Sequence, residues 1–165
     1  DSTTVKAYGR IPGTTKTGLK MANGKSKDHR PDLKQLLFSL TISSDGAIPV
    51  HYKTYPGNRT DDTTHIETWD VVRKIAGTSD FTYVADCKVC TQKQLSYIVA
   101  NEGRVITTMP DTWKESKSFK DVLRLGKISK KVILRKTALN SLFEYEYFSL
   151  FEGQYITLKN GYRIY

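Results

Sequence analysis

The stretch from Tyr83 to Thr91, YVADCKVCT, places one aspartate and two cysteines directly after a short apolar run. The C-x-x-C spacing of Cys87 and Cys90 occurs both in zinc sites and in thiol redox sites. Asp86 stands at the end of the predicted strand, and carboxyl ends of strands are where α/β sheets place their functional sites. The chemistry here therefore belongs either to the thiols or to the carboxylate.

The two cysteines lack the companions that thiol chemistry needs. A structural zinc site takes four ligands, and the three histidines of the chain have no matching spacing. A thioredoxin-like motif opens its helix with the cysteines, but the neighbouring Asp86 and Lys88 and the basic chain do not suit that fold. We interpret Cys87 and Cys90 as ordinary cysteines of a protein from a reducing compartment.

Two aspartates are better candidates. Asp1 opens the first predicted strand, and Asp86 ends a later one. If these strands are neighbours, the two carboxylates can share divalent cations, which prefer oxygen ligands. A pair of such ions would stabilise both the attacking and the leaving oxygen of a phosphoryl displacement. The alternative is that Asp86 only caps the turn before the next helix, and the residues alone favour neither interpretation.

The charge of the chain indicates a polyanionic partner. The net charge is +9, and the basic residues are concentrated in two blocks. Eight lie between Lys6 and Lys34, and nine lie between Lys114 and Lys136. Because each phosphate that a cation neutralises releases condensed counterions, this distribution favours nucleic acid over a merely solvated surface. The stretch from Gly13 has Leu19 where a phosphate loop needs lysine, and the stretch that ends in Gly24-Lys25-Ser26 has five residues between its glycines, so we exclude ATP binding. No apolar run is long enough to predict a membrane span.

The predicted elements form an α/β domain. A strand over 1–8 is followed by a hairpin whose turn is Ser44-Asp45-Gly46, and then by a β-α-β-α-β pattern that ends near Pro110. The first helix, about 62–76, carries a stripe of Ile66, Trp69, Val72 and Ile75 and stops at Gly77. Thr91 and Gln94 form a capping box before the second helix. The order predicts a mixed sheet flanked by helices.

Beyond Pro110 the pattern changes. A basic segment, 118–125, is predicted to be helical, and the remainder alternates as strands do. We therefore predict a core over 1–111 and a β-rich region over 112–165. Because the chain begins with Asp1 and ends at Tyr165 within a predicted strand, we expect it to be a piece of a longer protein.

Three stretches together resemble the catalytic domain of insertion-sequence transposases with an Asp-Asp-Glu triad. DSTTV is similar to the first acidic motif of that family. The segment from Ser26 to Thr64 is similar to the region between the two acids and contains Gly57-Asn58 followed by Asp61 or Asp62. YVADCKVCTQKQL resembles the second acidic motif. The resemblance covers most of the chain.

The resemblance implies a ribonuclease H-like fold with a β-rich insertion at its C-terminal end. It implies that Asp1 and Asp86 are catalytic metal ligands for two Mg²⁺ or Mn²⁺ ions, and that the cysteines are incidental. The implied partners are transposon-end and target DNA, bound by a homo-oligomer in the cytoplasm of a prokaryote, at the nucleoid. We predict DNA contacts by Arg30, Arg59 and Lys88, the cations nearest to the motifs.

The third acid of the triad is not assigned. In this subgroup it follows the β-rich insertion on a helix with a Tyr, Arg, Glu, Lys pattern, and no glutamate of 112–165 has that context. We therefore expect the fragment to be inactive by itself. Three alternatives stay open: another ribonuclease H-like nuclease such as a resolvase, an inactive DNA-binding remnant of a transposase, and a small C-x-x-C redox or zinc protein.

Overall fold

The computed structural model describes residues 2–10, 16, 18–25, 28–126, 130–137, 145–151, 156–157, 161 and 163–164. The chain divides into two compact units, Asp1–Thr108 and Met109–Tyr165. Whether they correspond to a catalytic core and an insertion stays a prediction.

The first unit alternates strands and helices in the order that the sequence predicts. Its described elements are β1 (Ser2–Ala7), β2 (Lys34–Ile42), β3 (Pro49–Pro56), a 3-10 turn (Asp61–Thr63), α1 (His65–Ala76), β4 (Thr82–Ala85), α2 (Gln92–Ala100) and β5 (Arg104–Thr107). The mixed α/β class is therefore confirmed.

The strands of this unit form two sheets. β1, β2 and β3 make an antiparallel sheet in that order, and β4 pairs with β5 in parallel. The predicted hairpin is confirmed, because the backbone N–H of Ser43 donates to the carbonyl of Ile48 across the turn at 2.9 Å. Among the described residues, no ladder joins β1 to β4. A single mixed sheet, and with it the ribonuclease H-like topology, is thus not shown.

The core lies where the helices pack on one face of the parallel pair. Trp69 from α1, Tyr83 from β4, Val89 from the following turn and Ile98 from α2 form the buried cluster. Although β4 is an apolar run, it is not buried on both faces, because Val84 is 69% exposed. Its partner in β5, Ile106, is also exposed. The two helices cover only the Tyr83 side of this pair.

Helix α1 begins three residues later than predicted, because Asp61–Thr63 form a 3-10 turn first. Its end is confirmed at Gly77, whose positive φ of 69° terminates the helix. Ile75, however, is 57% exposed, so the predicted stripe does not extend to it. Steps of three residues fall short of one turn, and Ile75 is therefore rotated by roughly 120° from Trp69 around the axis.

Thr91 caps the start of α2 as predicted. Its Oγ1 accepts from the backbone N–H of Gln94 at 3.3 Å. The reciprocal half of the capping box is not formed, because Oε1 of Gln94 has no hydrogen-bond partner among the described residues and Nε2 donates to the carbonyl of Asp62. This second contact ties α2 to the turn that precedes α1.

We expect Thr91→Ala to lower the free energy of unfolding by about 1 kcal/mol, because an N-cap oxygen is lost. Thr91→Ser keeps that oxygen and should unfold like the wild-type protein. Urea denaturation followed by circular dichroism measures both. Equal stability of the Ala and Ser variants would show that the cap contributes nothing.

The described part of the second unit contains α3 (Lys114–Arg124), the antiparallel pair β6 (Lys130–Thr137) and β7 (Tyr145–Phe151), and the short pair β8 (Ile156–Thr157) and β9 (Arg163–Ile164). These pairs lie in the region that the sequence predicts to be β-rich. Helix α3 starts four residues before the predicted segment. Its first turn is polar and has no apolar periodicity, so the sequence pattern did not indicate that turn. No helix in the described part of the chain has the length and apolarity that crossing a membrane requires.

Candidate active site around Asp86

A cavity of about 140 Å³ lies in the first unit between the two sheets and the start of α1. β1 contributes Ser2, the 3-10 turn contributes Asp61, and α1 contributes His65. β4 contributes Tyr83, and Asp86 follows its last residue. The end of β2 completes the wall. Four parts of the chain, at residues 2, 39–42, 61–65 and 83–86, therefore meet at one cavity.

Asp86 is held in place through its backbone. Its carbonyl oxygen accepts from Thr107 Oγ1 at 2.7 Å, which fastens the end of β4 to the end of β5. Its carboxylate Oδ1 accepts from the backbone N–H of Lys88 at 3.0 Å. The turn-capping interpretation of Asp86 is therefore confirmed. It does not exclude a second role, because no described residue donates to Oδ2 of this exposed side chain.

The two cysteines have no partner for thiol chemistry among the described residues. Both are free thiols, and Cys90 is 5% exposed. Burial raises the pKa of the Cys90 thiol, so it is protonated at neutral pH and a poor nucleophile. No three His, Cys, Asp or Glu side chains are grouped to hold a metal ion in the described ranges. Cys90 is thus a core residue beside Val89.

Asp1 lies outside the described residues, but Ser2, the next residue in the chain, lines the cavity. Asp61 and Asp62 follow Gly57-Asn58 in the motif that the resemblance singled out. Asp61 lines this cavity, whereas Asp62 lines a separate one of about 590 Å³. Carboxylate oxygens suit Mg²⁺ or Mn²⁺. Because the described residues include no group of three such ligands, Asp86 and Asp61 supply at most part of a metal site.

His65 and Tyr83 are the residues that the sequence reasoning missed. His65 Nδ1 lies 3.1 Å from the Tyr83 hydroxyl, and the two rings meet edge-on. Burial lowers the pKa of His65, so the ring is neutral at pH 7. Nε2 is enclosed and has no partner among the described residues. The available signal was the four-residue spacing of Asp61 and His65, which is close to one helical turn.

The three cations predicted to contact DNA do not line this cavity. Arg30 makes two hydrogen bonds to the carboxylate of Asp32, at 2.8 and 2.6 Å, and this pairing raises the pKa of the guanidinium.

Arg59 donates to the carbonyl of Thr63 and lies over the ring of Tyr55. It lines the second cavity, together with Lys93. Lys88 is exposed in the turn after Asp86.

The Gly57-Asn58 motif is explained by packing. A Cβ atom on Gly57 would lie 1.9 Å from the carbonyl oxygen of Gln35 and 2.5 Å from that of Ala22. Gln35 Nε2 also donates to the Gly57 carbonyl at 3.0 Å. Since only glycine fits between these backbones, the motif joins β3 to β2 and to the loop before it. It positions the 3-10 turn that carries Asp61.

Comparison of the chain with protein-family models, with curated proteins and with solved structures finds no match.

Proposed function

We propose that this chain is a catalytic region of a DNA transposase of the Asp-Asp-Glu class, with a ribonuclease H-like fold. The full enzyme would hydrolyse a phosphodiester at the transposon end and join the resulting 3′-hydroxyl to target DNA. The observation that carries the proposal is that Ser2, adjacent in sequence to Asp1, and Asp86 line one cavity.

The arrangement of the strands supports the fold that goes with this function. β1 is at the edge of its antiparallel sheet, and β4 is paired on one side only within the described residues. The proposed topology brings these two free edges together in a mixed sheet. Asp1 and Asp86 would then be neighbours at one end of that sheet, where α/β folds bind ligands.

The residues of the chain have distinct tasks in this proposal. Asp86 lines the cavity, and its Oδ1 accepts from the backbone N–H of Lys88, so Oδ2 would be the oxygen that binds metal. Asp1 would supply the second carboxylate. Bound Mg²⁺ or Mn²⁺ would activate water or the 3′-hydroxyl and stabilise the leaving oxygen. Lys and Arg side chains, Arg59 and Lys88 among them, would contact backbone phosphates and give little base readout. The transposon ends, target DNA and a homo-oligomer are the partners that this function needs.

Asp86→Asn tests the proposal in the chain as it stands. We expect Mn²⁺ to tighten binding of a short DNA duplex roughly tenfold in the wild-type protein, a usual size for coupling between two ligands. The Asn variant should lose this metal effect and keep metal-independent binding, because its amide oxygen can still accept from Lys88. Fluorescence anisotropy with Mn²⁺ or with a chelator, at several salt concentrations, measures both the metal effect and the metal-independent DNA binding.

Asp80→Asn is the matched control. Asp80 is exposed and pairs with Arg104 at 2.8 Å, away from the cavity, so its loss should leave the metal effect intact. If Asp86→Asn retains the full metal effect, Asp86 is not a metal ligand for DNA chemistry and the proposal is wrong.

A second candidate is a DNA-binding remnant without catalysis. The Lys88 contact favours it, because that contact gives Asp86 a structural reason to be present. The absence of a three-ligand group among the described residues is compatible with it. It predicts DNA binding that neither Mn²⁺ nor Asp86→Asn changes, so the same titration separates the two functions.

A further inference from the structure

The second cavity of the first unit, of about 590 Å³, has a wall that is polar and charged. Arg59 and Lys93 bring two positive charges to it, and Asp62 brings one negative charge. All three side chains are exposed, so the cavity is open to solvent. Ile66 is the one apolar residue that the described part of the chain contributes. Small-molecule pockets are mostly apolar and enclose their ligand, so this cavity suits a different kind of partner.

The hydrogen-bond donors of this cavity come from two segments. The loop after β3 contributes Asn58, Arg59 and Thr60, and the start of α2 contributes Thr91 and Lys93. Thr91 Oγ1 accepts from a backbone N–H of α2, which leaves its own hydroxyl hydrogen for a ligand. Arg, Lys, Thr and Asn side chains are the groups with which proteins bind the phosphates of DNA.

The two cations are placed for a ligand and not for the stability of their own segments. Lys93 lies in the first turn of α2, where the helix dipole disfavours a positive charge. Arg59 is held from one side, because it donates to the carbonyl of Thr63 at 3.2 Å and lies 5.6 Å from the centroid of the buried Tyr55 ring. A guanidinium has five N–H donors, so this contact leaves others for a phosphate.

The same two segments line this cavity and the cavity that contains Asp86. In the 3-10 turn, Asp61 lines the Asp86 cavity and Asp62 lines the second one. After β4, Asp86 itself lines the first cavity and Thr91 the second. Because consecutive Cα atoms lie about 3.8 Å apart, Asp61 and Asp62 bring the two cavities close together. A DNA strand that is bound at Asp86 can therefore reach the second cavity.

We propose that the second cavity binds a backbone phosphate of DNA, next to the phosphate that reacts at Asp86, through Arg59, Lys93 and the hydroxyl of Thr91. Two cations against one carboxylate leave a net positive charge, which favours a singly charged phosphodiester. The contact positions the strand and carries no base readout. A free phosphate ion has the same chemistry, but a DNA strand also gains from its simultaneous contact at Asp86. DNA is the partner in the proposed function, on which this inference rests.

Lys93→Gln tests the contact without disturbing the fold, because an exposed cation is removed from a helix start that disfavours it. Each lost phosphate contact should lower the slope of log K against log salt concentration by about 0.9. We expect Lys93→Gln to bind a short duplex about two- to fivefold more weakly, as for one exposed ion pair. Arg59→Gln should act similarly, and the double variant should lose about 1.8 from the slope. Fluorescence anisotropy with a chelator measures these values without the metal effect.

Lys74→Gln is the matched control, because it removes the same charge from an exposed site in the last turn of α1. Lys74 lines a different cavity, about 12 Å along the helix from Ile66. Its slope should equal that of the wild-type protein. Equal slopes for Lys93→Gln and Lys74→Gln would overturn the proposal.

Asp62→Asn gives a result of opposite sign. Its carboxylate repels a phosphate in this cavity, so the Asn variant should bind the duplex about two- to threefold more tightly. Asp80→Asn, which removes an exposed carboxylate elsewhere in the unit, should leave the affinity unchanged. Equal affinities for the two variants would contradict a phosphate beside Asp62.

Inorganic phosphate, titrated at constant ionic strength in the absence of DNA, distinguishes a free ion from a DNA backbone. We expect it to bind with a Kd of about 1 mM or weaker. If it binds at about 1 µM and Lys93→Gln abolishes that binding but leaves the DNA slope unchanged, the cavity is a site for a small anion and the proposal is overturned.

Asp86→Asn in the same DNA assay distinguishes this inference from the function beneath it. If the Mn²⁺ effect depends on Asp86 while Lys93→Gln and Arg59→Gln keep the wild-type slope, the phosphate contact is wrong and the proposed function stands. If the slopes fall as expected but wild-type binding shows no Mn²⁺ effect, the contact stands and the catalytic function is rejected. If the wild-type chain does not bind the duplex, both are rejected.

Discussion

Gly57→Ala is expected to remove about 3 kcal/mol or more from the free energy of unfolding of the first unit. The added Cβ would lie 1.9 Å from the Gln35 carbonyl oxygen and 2.5 Å from that of Ala22. Overpacking usually costs about 1–3 kcal/mol when neighbouring side chains adjust. Here the obstructing atoms are backbone atoms of the antiparallel sheet and of the loop paired with it, so relief requires breaking the hydrogen bonds between Ala22 and Gln35.

Thermal unfolding followed by circular dichroism measures this effect, and the midpoint should fall by roughly 10 °C or more. Gly46→Ala is the matched control. Gly46 lies in the hairpin turn, and its nearest neighbour to an added Cβ is the Ile48 side chain at 3.6 Å. We expect a change of about 1 kcal/mol or less at Gly46. Equal midpoints for the two variants would mean that β2 and β3 do not approach as closely as described.

The elements that the sequence predicts well are those set by neighbouring residues. The predicted hairpin is present, because the alternation of apolar residues in β2, Lys34–Ile42, is followed by a turn at Ser44-Asp45-Gly46. Gly77 and Thr91 end and begin their helices as predicted, since caps depend on a single residue and its hydrogen bonds. Local propensity and local hydrogen bonding decide each of these features.

The pairing of strands and the composition of the cavity depend on contacts between distant segments. The apolar run of Tyr83, Val84 and Ala85 gives no sign that Val84 is exposed, because burial depends on what covers each face of the strand. Helices α1 and α2 cover only the face that Tyr83 shares. No local sequence pattern indicates which face of β4 the helices cover.

The same reason explains which site residues were predicted. Asp86 was identifiable because a carboxylate interrupts an apolar strand. His65 was not, because its importance comes from Tyr83, which is eighteen residues later and meets it only in the folded unit. Sequence patterns therefore predicted the acid at the end of a strand, whereas the polar residues around it required the fold.

Trp69→Ala is expected to destabilise the first unit by about 3–5 kcal/mol, the usual cost of removing a buried large aromatic side chain. Trp69 has no exposed surface and lies at the centre of the buried cluster. Its ring contacts Phe81 and the edge of Tyr97, with centroids 6.1 and 6.2 Å away. The added Cβ of an alanine at position 103 would lie only 2.6 Å from its Cζ2, so Gly103 closes over the ring.

The reason for so large a cost is that both helices and the parallel strands share this one residue. Since native domains are stable by only about 5–15 kcal/mol, Trp69→Ala should shift the urea midpoint far down or unfold the unit in water. Tyr52→Ala is the control in the same unit, because Tyr52 is 69% exposed and its ring stacks on Phe38. Its loss should cost about 1 kcal/mol or less, as for a cross-strand pair. Similar urea midpoints for the two variants would contradict a core centred on Trp69. A selective loss at Trp69 would show that α1, which begins at His65, is anchored to β4 through this cluster, close to the cavity that contains Asp86.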